Sequence, residues 1–276
     1  MSLAAFTVDV DRDVNIPSPG MVHAASNLAA EISSPRFTSS REGLEIMVGL
    51  LDDLGIKGTF FMEARTALEM SRDTDLTSLL RNHEVGCHGF DHEDLTGEDT
   101  GIPIPKDDVF FILEKAMESL EETVGRYPKG FRAPYLHVAN DTLDAVQEAG
   151  FSYDSSLTRD ISDCPTSPWR LSNGLLEVPL AIDRDADGGR MYSYLWAMHE
   201  GQREPGDYLR MMGRCQSGFL VLATHSWHLV ETYSKGKLEG DEIERNVDRL
   251  RSVLEGGIET GVEFLSIEDF ITRYMG

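Results

Sequence analysis

Four times along this chain a helix-patterned stretch closes on glycine and a strand-patterned stretch follows. The stretch 40–55, SREGLEIMVGLLDDLG, sets Leu44, Met47, Val48 and Leu51 on one face and stops at Gly55; KGTFFM follows. The stretch 107–125 aligns Val109, Leu113, Ala116 and Leu120 and stops at Gly125; KGFRAPY follows. NDTLDAVQEAG ends at Gly150 before FSYDSSL, and 241–261 aligns Ile243, Val247, Leu250 and Leu254 and ends at Gly261 before VEFLSI. The apolar spacing i, i+3, i+4, i+7 is that of a helix packed on one face, and glycine suits the left-handed residue that ends one. Ser39 and Glu42 have the spacing of a capping box at the start of the first helix.

Short helix-to-strand connections repeated in this way require parallel strands covered by helices. Further strands are expected at 84 (EVGCHG), 175 (LLEVPLAI) and 218 (GFLVLATH). Seven or eight strands in 276 residues predict an α/β fold, a closed (β/α) barrel. A doubly wound open sheet is the alternative, but no glycine-rich phosphate fingerprint accompanies it. A single domain spanning 1–276 is expected, with long irregular stretches at 12–38 and about 183–206.

The formal net charge of −23 argues against nucleic acid and anionic membrane as partners. No apolar run reaches the roughly 18 residues of a membrane helix, and no leader-like segment precedes the first strand, so a cytoplasmic protein is expected. Cys87, Cys164 and Cys215 are far apart and form no CxxC, so buried free thiols are expected rather than a disulfide framework.

In barrels of this kind the chemistry lies at the carboxyl ends of the strands. The first strand, FTVDVD, carries Asp9 and Asp11 on one face, since side chains alternate with period two. Adjacent carboxylates repel and are costly to desolvate unless a cation stands between them. The same pattern also suits a strand-end turn or a helix cap, and Asp13 is assigned to the turn. HGFDH follows an apolar strand and places His88 and His92 where two imidazoles can converge on one metal. Two histidines and a carboxylate leave a coordination position open for water. In RAPY, Arg132 can pair with an aspartate base and lower its pKa, and the Tyr135 backbone N–H can face an oxyanion. His225 ends the last long apolar strand, where a histidine suits protonation of a leaving amine. His228 has less claim to a role.

Taken in order, TVDVD, HGFDH, RAPY and LATH resemble the motifs of the polysaccharide deacetylases, the NodB-homology group of carbohydrate esterases. The resemblance runs from residue 6 to about 270 and implies a distorted (β/α) barrel with about seven parallel strands. It implies Asp9 as the catalytic base, Asp11, His88 and His92 as metal ligands, and Arg132 as the residue that orients Asp9. It further implies an oxyanion contact from Tyr135 and His225 as the general acid. The implied cofactor is a divalent metal, zinc or another first-row ion. The implied activity is hydrolysis of non-peptide C–N amide bonds, by N-deacetylation of an N-acetylated sugar or polysaccharide. Departures are Val10 between the aspartates, a spacing found in a subgroup that includes peptidoglycan deacetylase-like proteins and cyclic-amide hydrolases, and Gly89 where the family usually has Ser or Thr. The partner that tunes His225 is not legible; Asp154 and Trp169 lie in the right region.

Two alternatives remain: a hydrolase of a small cyclic amide such as allantoin or a cyclic imide, and an inactive carbohydrate-binding relative. Tyr192, Tyr194 and Trp196 can stack on a sugar, close a small pocket, or pack between copies in a homo-oligomer. A small-molecule or oligosaccharide substrate is expected in each catalytic reading.

Overall fold

The computed structural model describes residues 2–13, 35–163, 167–215 and 218–275. Ser2–Val10 (β1) is buried along most of its length and takes parallel neighbours on both sides. Its alternation separates two cores. Phe6, Val8 and Val10 pack outward under the helices, whereas Ala5 shares the inner core with Phe61, Tyr153 and Val221. Thr7 and Asp9 have the same parity as Ala5 and so lie on the inner face.

From β1 the parallel ladder runs through Thr59–Met62 (β2), Glu84–Cys87 (β3), Gly130–Phe131 (β4) and Tyr153–Asp154 (β5). Thr158–Asp160 (β6) continues beyond β5, and Leu176–Glu177 (β7) pairs with β5. The expected strand 175–182 is split at Pro179, which has no N–H for the ladder. Leu180–Arg184 (β8) resumes beyond it and pairs with β6. Leu180 also opposes Val221 of Phe219–His225 (β9), and β9 lies against β1. The bent segment 176–184 therefore joins the two flanks, and seven parallel staves form the expected distorted barrel. Val262–Phe264 (β10) adds to the start of β1.

The helices fall where the apolar spacing places them. Thr38–Leu54 (α1) buries Leu44, Met47, Val48 and Leu51, and Lys106–Val124 (α2) buries Val109, Leu113, Ala116 and Leu120. Both stop at a left-handed glycine, Gly55 at φ 66° and Gly125 at φ 75°. Asn140–Glu148 (α3) and Gly240–Glu259 (α4) are capped by Ala149 and Thr260, each followed by a left-handed glycine, Gly150 at φ 91° and Gly261 at φ 85°, and in α4 Leu250 and Leu254 are buried while Ile243 and Val247 are half-buried.

The capping box expected from Ser39 and Glu42 is not formed. The helix begins at Thr38, and its first amides turn instead to Asp13: Ser39 N–H donates to Oδ2 at 3.0 Å and Ser40 N–H to Oδ1 at 2.6 Å. A carboxylate reached from the end of the first strand serves the free N–H groups better than a glutamate already inside the helix. Gly43 lets α1 approach closely: a Cβ there would lie 1.9 Å from Ser226 O, in the turn that follows His225.

The stretch 183–206 is not irregular. Arg190–Tyr192 pairs antiparallel with β8, Tyr194 bridges to Ala223, and Trp196–His199 is a helical turn. The stretch 12–38 lies outside the described residues except at its ends. Cys87 and Cys215 are buried, and Cys164 lies outside the described residues. Among the described residues no helix is long and apolar enough to cross a membrane.

Candidate active site

The carboxyl ends of β1, β3, β4 and β9 bring Asp9, Asp11, His88, His92, Arg132 and His225 together. Arg132 is wholly buried and donates from each of its three nitrogens: Nη1 reaches Asp9 Oδ1 and Thr7 Oγ1 at 2.8 Å each, Nε reaches Ser155 O at 3.0 Å, and Nη2 reaches Ser155 Oγ at 2.9 Å. Its guanidinium also lies over the Phe61 ring, 4.3 Å from the centroid. Burial would raise the Asp9 carboxyl; Arg132, His88, His225 and a hydrogen bond from Tyr194 together outweigh it and hold Asp9 below the usual carboxylate range. Asp9 is thus a buried, ionised and oriented acceptor.

His88 Nδ1 lies 2.8 Å from Arg132 O. A carbonyl can only accept, so this nitrogen carries the proton and Nε2 keeps its lone pair. Burial lowers the His88 pKa, which favours the neutral ring a metal needs. His92 Nε2 lies 3.3 Å from Asp11 Oδ2, and Asp11 Oδ1 accepts the Trp227 indole N–H at 3.0 Å. Burial opposes ionisation of Asp11, but His225, His92 and His88 hold it down at about 2. One ligand atom from each of Asp11, His88 and His92 falls within 4.8 Å of the others. Two imidazoles and a carboxylate, with His88 and Asp11 each anchored by a second bond, fit a first-row divalent cation.

The loop that carries the histidines is held by groups that the sequence pattern did not point to. Buried Arg12 donates to Glu63 and Asp91, and Arg65 Nη1 reaches Asp91 at 2.8 Å. Glu93 accepts the N–H groups of Phe90 and Asp91, while Gly89 and Phe90 carbonyls accept from Ala64 and Arg65. Gly89 sits at φ 76°, and a Cβ there would lie 2.8 Å from Glu93 Oε2. Glu93 therefore does the supporting work that a hydroxyl at position 89 would do. His92 and Tyr135 hold left-handed backbones at φ 55° and 60°, sparsely populated for such residues and concentrated at functional sites.

His225 lies opposite Asp9 in the β1–β9 register. Its ring stacks on Trp227 at 4.9 Å, and burial pushes its pKa down to about 4. Its Nδ1 has no hydrogen-bond partner among the described residues. His228 is buried beside it, ring centroids 5.6 Å apart, with its own Nε2 3.2 Å from Glu200 Oε1. Asp154 does not reach His225 either. It accepts the N–H and Oγ–H of Ser156, whose Oγ in turn accepts the Ala133 N–H, so it braces the RAPY segment from behind.

Tyr194, read from sequence only as one aromatic among three, is buried at the centre of the site. Its hydroxyl donates to Asp9 Oδ2 and lies 3.1 Å from His225 Nε2. No motif spacing marks it; its position depends on the bridge to Ala223, a long-range pairing. Asp9, His88, His92, Tyr135, Tyr194, Trp196 and His225 help line a cavity of about 380 Å³, together with Tyr192 and Tyr233.

The family model described as polysaccharide deacetylase matches residues 39–153. The peptidoglycan deacetylase-like protein of Gibberella zeae is 31% identical over 153 residues, 55% of this chain. The match spans 43% of the length of that curated relative. Among solved structures, a Mycobacterium smegmatis protein described as a polysaccharide deacetylase superposes with a TM-score of 0.66 at 22% identity, over 99% of this chain and 90% of its own. A Bacillus anthracis protein described as a CE4 family pseudoenzyme superposes with a TM-score of 0.55 at 14% identity, over 97% of this chain and 64% of its own.

Proposed function

Because the chain carries a polysaccharide deacetylase domain, we propose that it is a metal-dependent hydrolase of non-peptide amide bonds that removes acetyl from an N-acetylated sugar. One observation carries this reading: a buried aspartate paired to arginine stands beside a separate Asp–His–His cluster. A base and a ligand set are then distinct, as hydrolysis requires.

Asp11, His88 and His92 would hold the cation. When bound, it supplies Lewis-acid polarisation of water and of the amide carbonyl. Asp9, kept ionised and aimed by Arg132, accepts the proton of the attacking water at a carboxylate oxygen. The Tyr135 N–H donates to the developing oxyanion. His225 Nε2 delivers a proton to the departing nitrogen. Tyr192, Trp196 and Tyr233 line the cavity and offer aromatic surface to a sugar.

The test is acetate release from N-acetylglucosamine oligomers of graded length by zinc-loaded protein. Release that grows with length supports an extended sugar substrate. A second reading, hydrolysis of a small cyclic amide, is favoured by the cavity itself. At about 380 Å³ it sits at the small end of ligand pockets and suits one compact ring. Ring opening of dihydrouracil without acetate release from any oligomer would select it. A protein that binds sugar without turnover would do neither; the intact base, ligands and late histidine speak against it.

A further inference from the structure

We propose that Tyr194 is a third proton-handling residue of this site, its hydroxyl carrying the proton collected at Asp9 across to His225; this rests on the amide-hydrolase reading above. The hydroxyl stands between the two groups, donating to Asp9 Oδ2 and 3.1 Å from His225 Nε2. Arg132 occupies the other Asp9 oxygen, so Oδ2 is the one that faces an exchange partner. Tyr194 is also tied to the strand that carries His225. Leu195 N–H donates to Ala223 O at 2.7 Å, Ala223 N–H to Ser193 O at 2.9 Å, and Tyr208 O–H to Tyr194 O at 3.1 Å. The hydroxyl, the base and the acid therefore keep their spacing as one rigid unit.

Amide hydrolysis takes a proton from water at one point and needs one at the leaving nitrogen at another. A buried hydroxyl that accepts and donates at once can connect them. After attack, with Asp9 Oδ2 now carrying the proton, the Tyr194 hydroxyl hydrogen turns from Asp9 to His225 Nε2, and the Asp9 Oδ2–H bond breaks as a new O–H bond forms on Tyr194 Oη. The original Oη–H bond breaks as Nε2–H forms on His225. That Nε2–H bond then breaks as N–H forms on the departing amine. Water supplies hydroxide to the acyl carbon and its proton to nitrogen, and no charge remains on tyrosine.

The experiment compares wild type and Tyr194→Phe on two substrates, the N-acetylglucosamine trimer and 4-nitrophenyl acetate. The ester's leaving group departs as an anion and needs no proton, so it bypasses the relay. The expected result is a drop in kcat on the amide of about 100-fold, the lower range for a proton-transfer group. KM and metal content stay at wild-type values, and the ester rate falls at least about tenfold less than the amide rate, since the ester loses only the hydrogen bond that Tyr194 gives to Asp9. Equal amide rates in the two proteins overturn the relay. Parallel losses on amide and ester also overturn it, because they mark a structural role. A wild-type protein inactive on both substrates would overturn the hydrolase reading itself, and the relay with it.

Discussion

Arg132 Nη1 lies 2.8 Å from Asp9 Oδ1, and both residues are buried, Arg132 wholly and Asp9 open only to the cavity it lines. A buried pair of this kind is costly to break from one side, because the remaining charge is stranded. Arg132→Met should destabilise the fold by about 3–5 kcal/mol in urea denaturation. Adding Asp9→Asn in the same chain should recover part of the loss, since the two sites share one interaction. A loss under about 1 kcal/mol would show that the pair is worth no more than a surface ion pair.

Asp13 caps α1 through two amides from a position 26 residues before Ser40's neighbour in the pair, Ser39. Asp13→Ala should cost about 1–2 kcal/mol, the range for losing a helix cap. Thermal denaturation of the variant checks it. An unchanged melting temperature would mean that solvent satisfies these amides equally well.

Burial and the adjacent Asp154 carboxylate hold Glu177 well above the usual carboxylate range. A folded pKa raised above the unfolded one gives a contribution that is full below the unfolded value, about 4.3. That contribution is lost as pH rises through the folded value. Glu177→Gln removes this titration while keeping an acceptor for the Leu157 N–H. The melting temperature of the variant relative to wild type should therefore climb between pH 4 and pH 9. A constant difference across that window would place the Glu177 pKa in the ordinary range.

Gly89→Ser adds a side chain at the turn between the two histidines. Here the backbone is left-handed and Glu93 fills the space, so the substitution should displace the loop and weaken zinc affinity. Titration with a competing chelator measures it. Affinity equal to or above wild type would show that Glu93 and a hydroxyl can share the support.

The barrel and its helices were legible because each depends on local pattern, period-two strands and apolar helix faces, and the nearness of Asp9, Asp11, His88, His92, Arg132 and His225 was legible because each stands in a short motif at a strand end. What escaped depends on distance in the chain. Asp13 caps α1 across a long connection, Arg12 meets Glu63 and Asp91, and Tyr194 reaches Asp9 only because residues 193–195 dock on β9. None of these has a spacing that periodicity detects. Pro179 was visible in the sequence, but its effect, two short staves in place of one strand, follows from the ladder it interrupts.

The central claim is that the base and the metal ligands are separate groups. Metal content and acetate release, measured side by side in wild type, His92→Ala and Asp9→Asn, test it most directly. The prediction is a zinc-loaded wild type that releases acetate, a His92→Ala protein with neither metal nor activity, and an Asp9→Asn protein that keeps its zinc but releases acetate at least about 100-fold more slowly. Full zinc occupancy in His92→Ala, or wild-type turnover in Asp9→Asn, would contradict it.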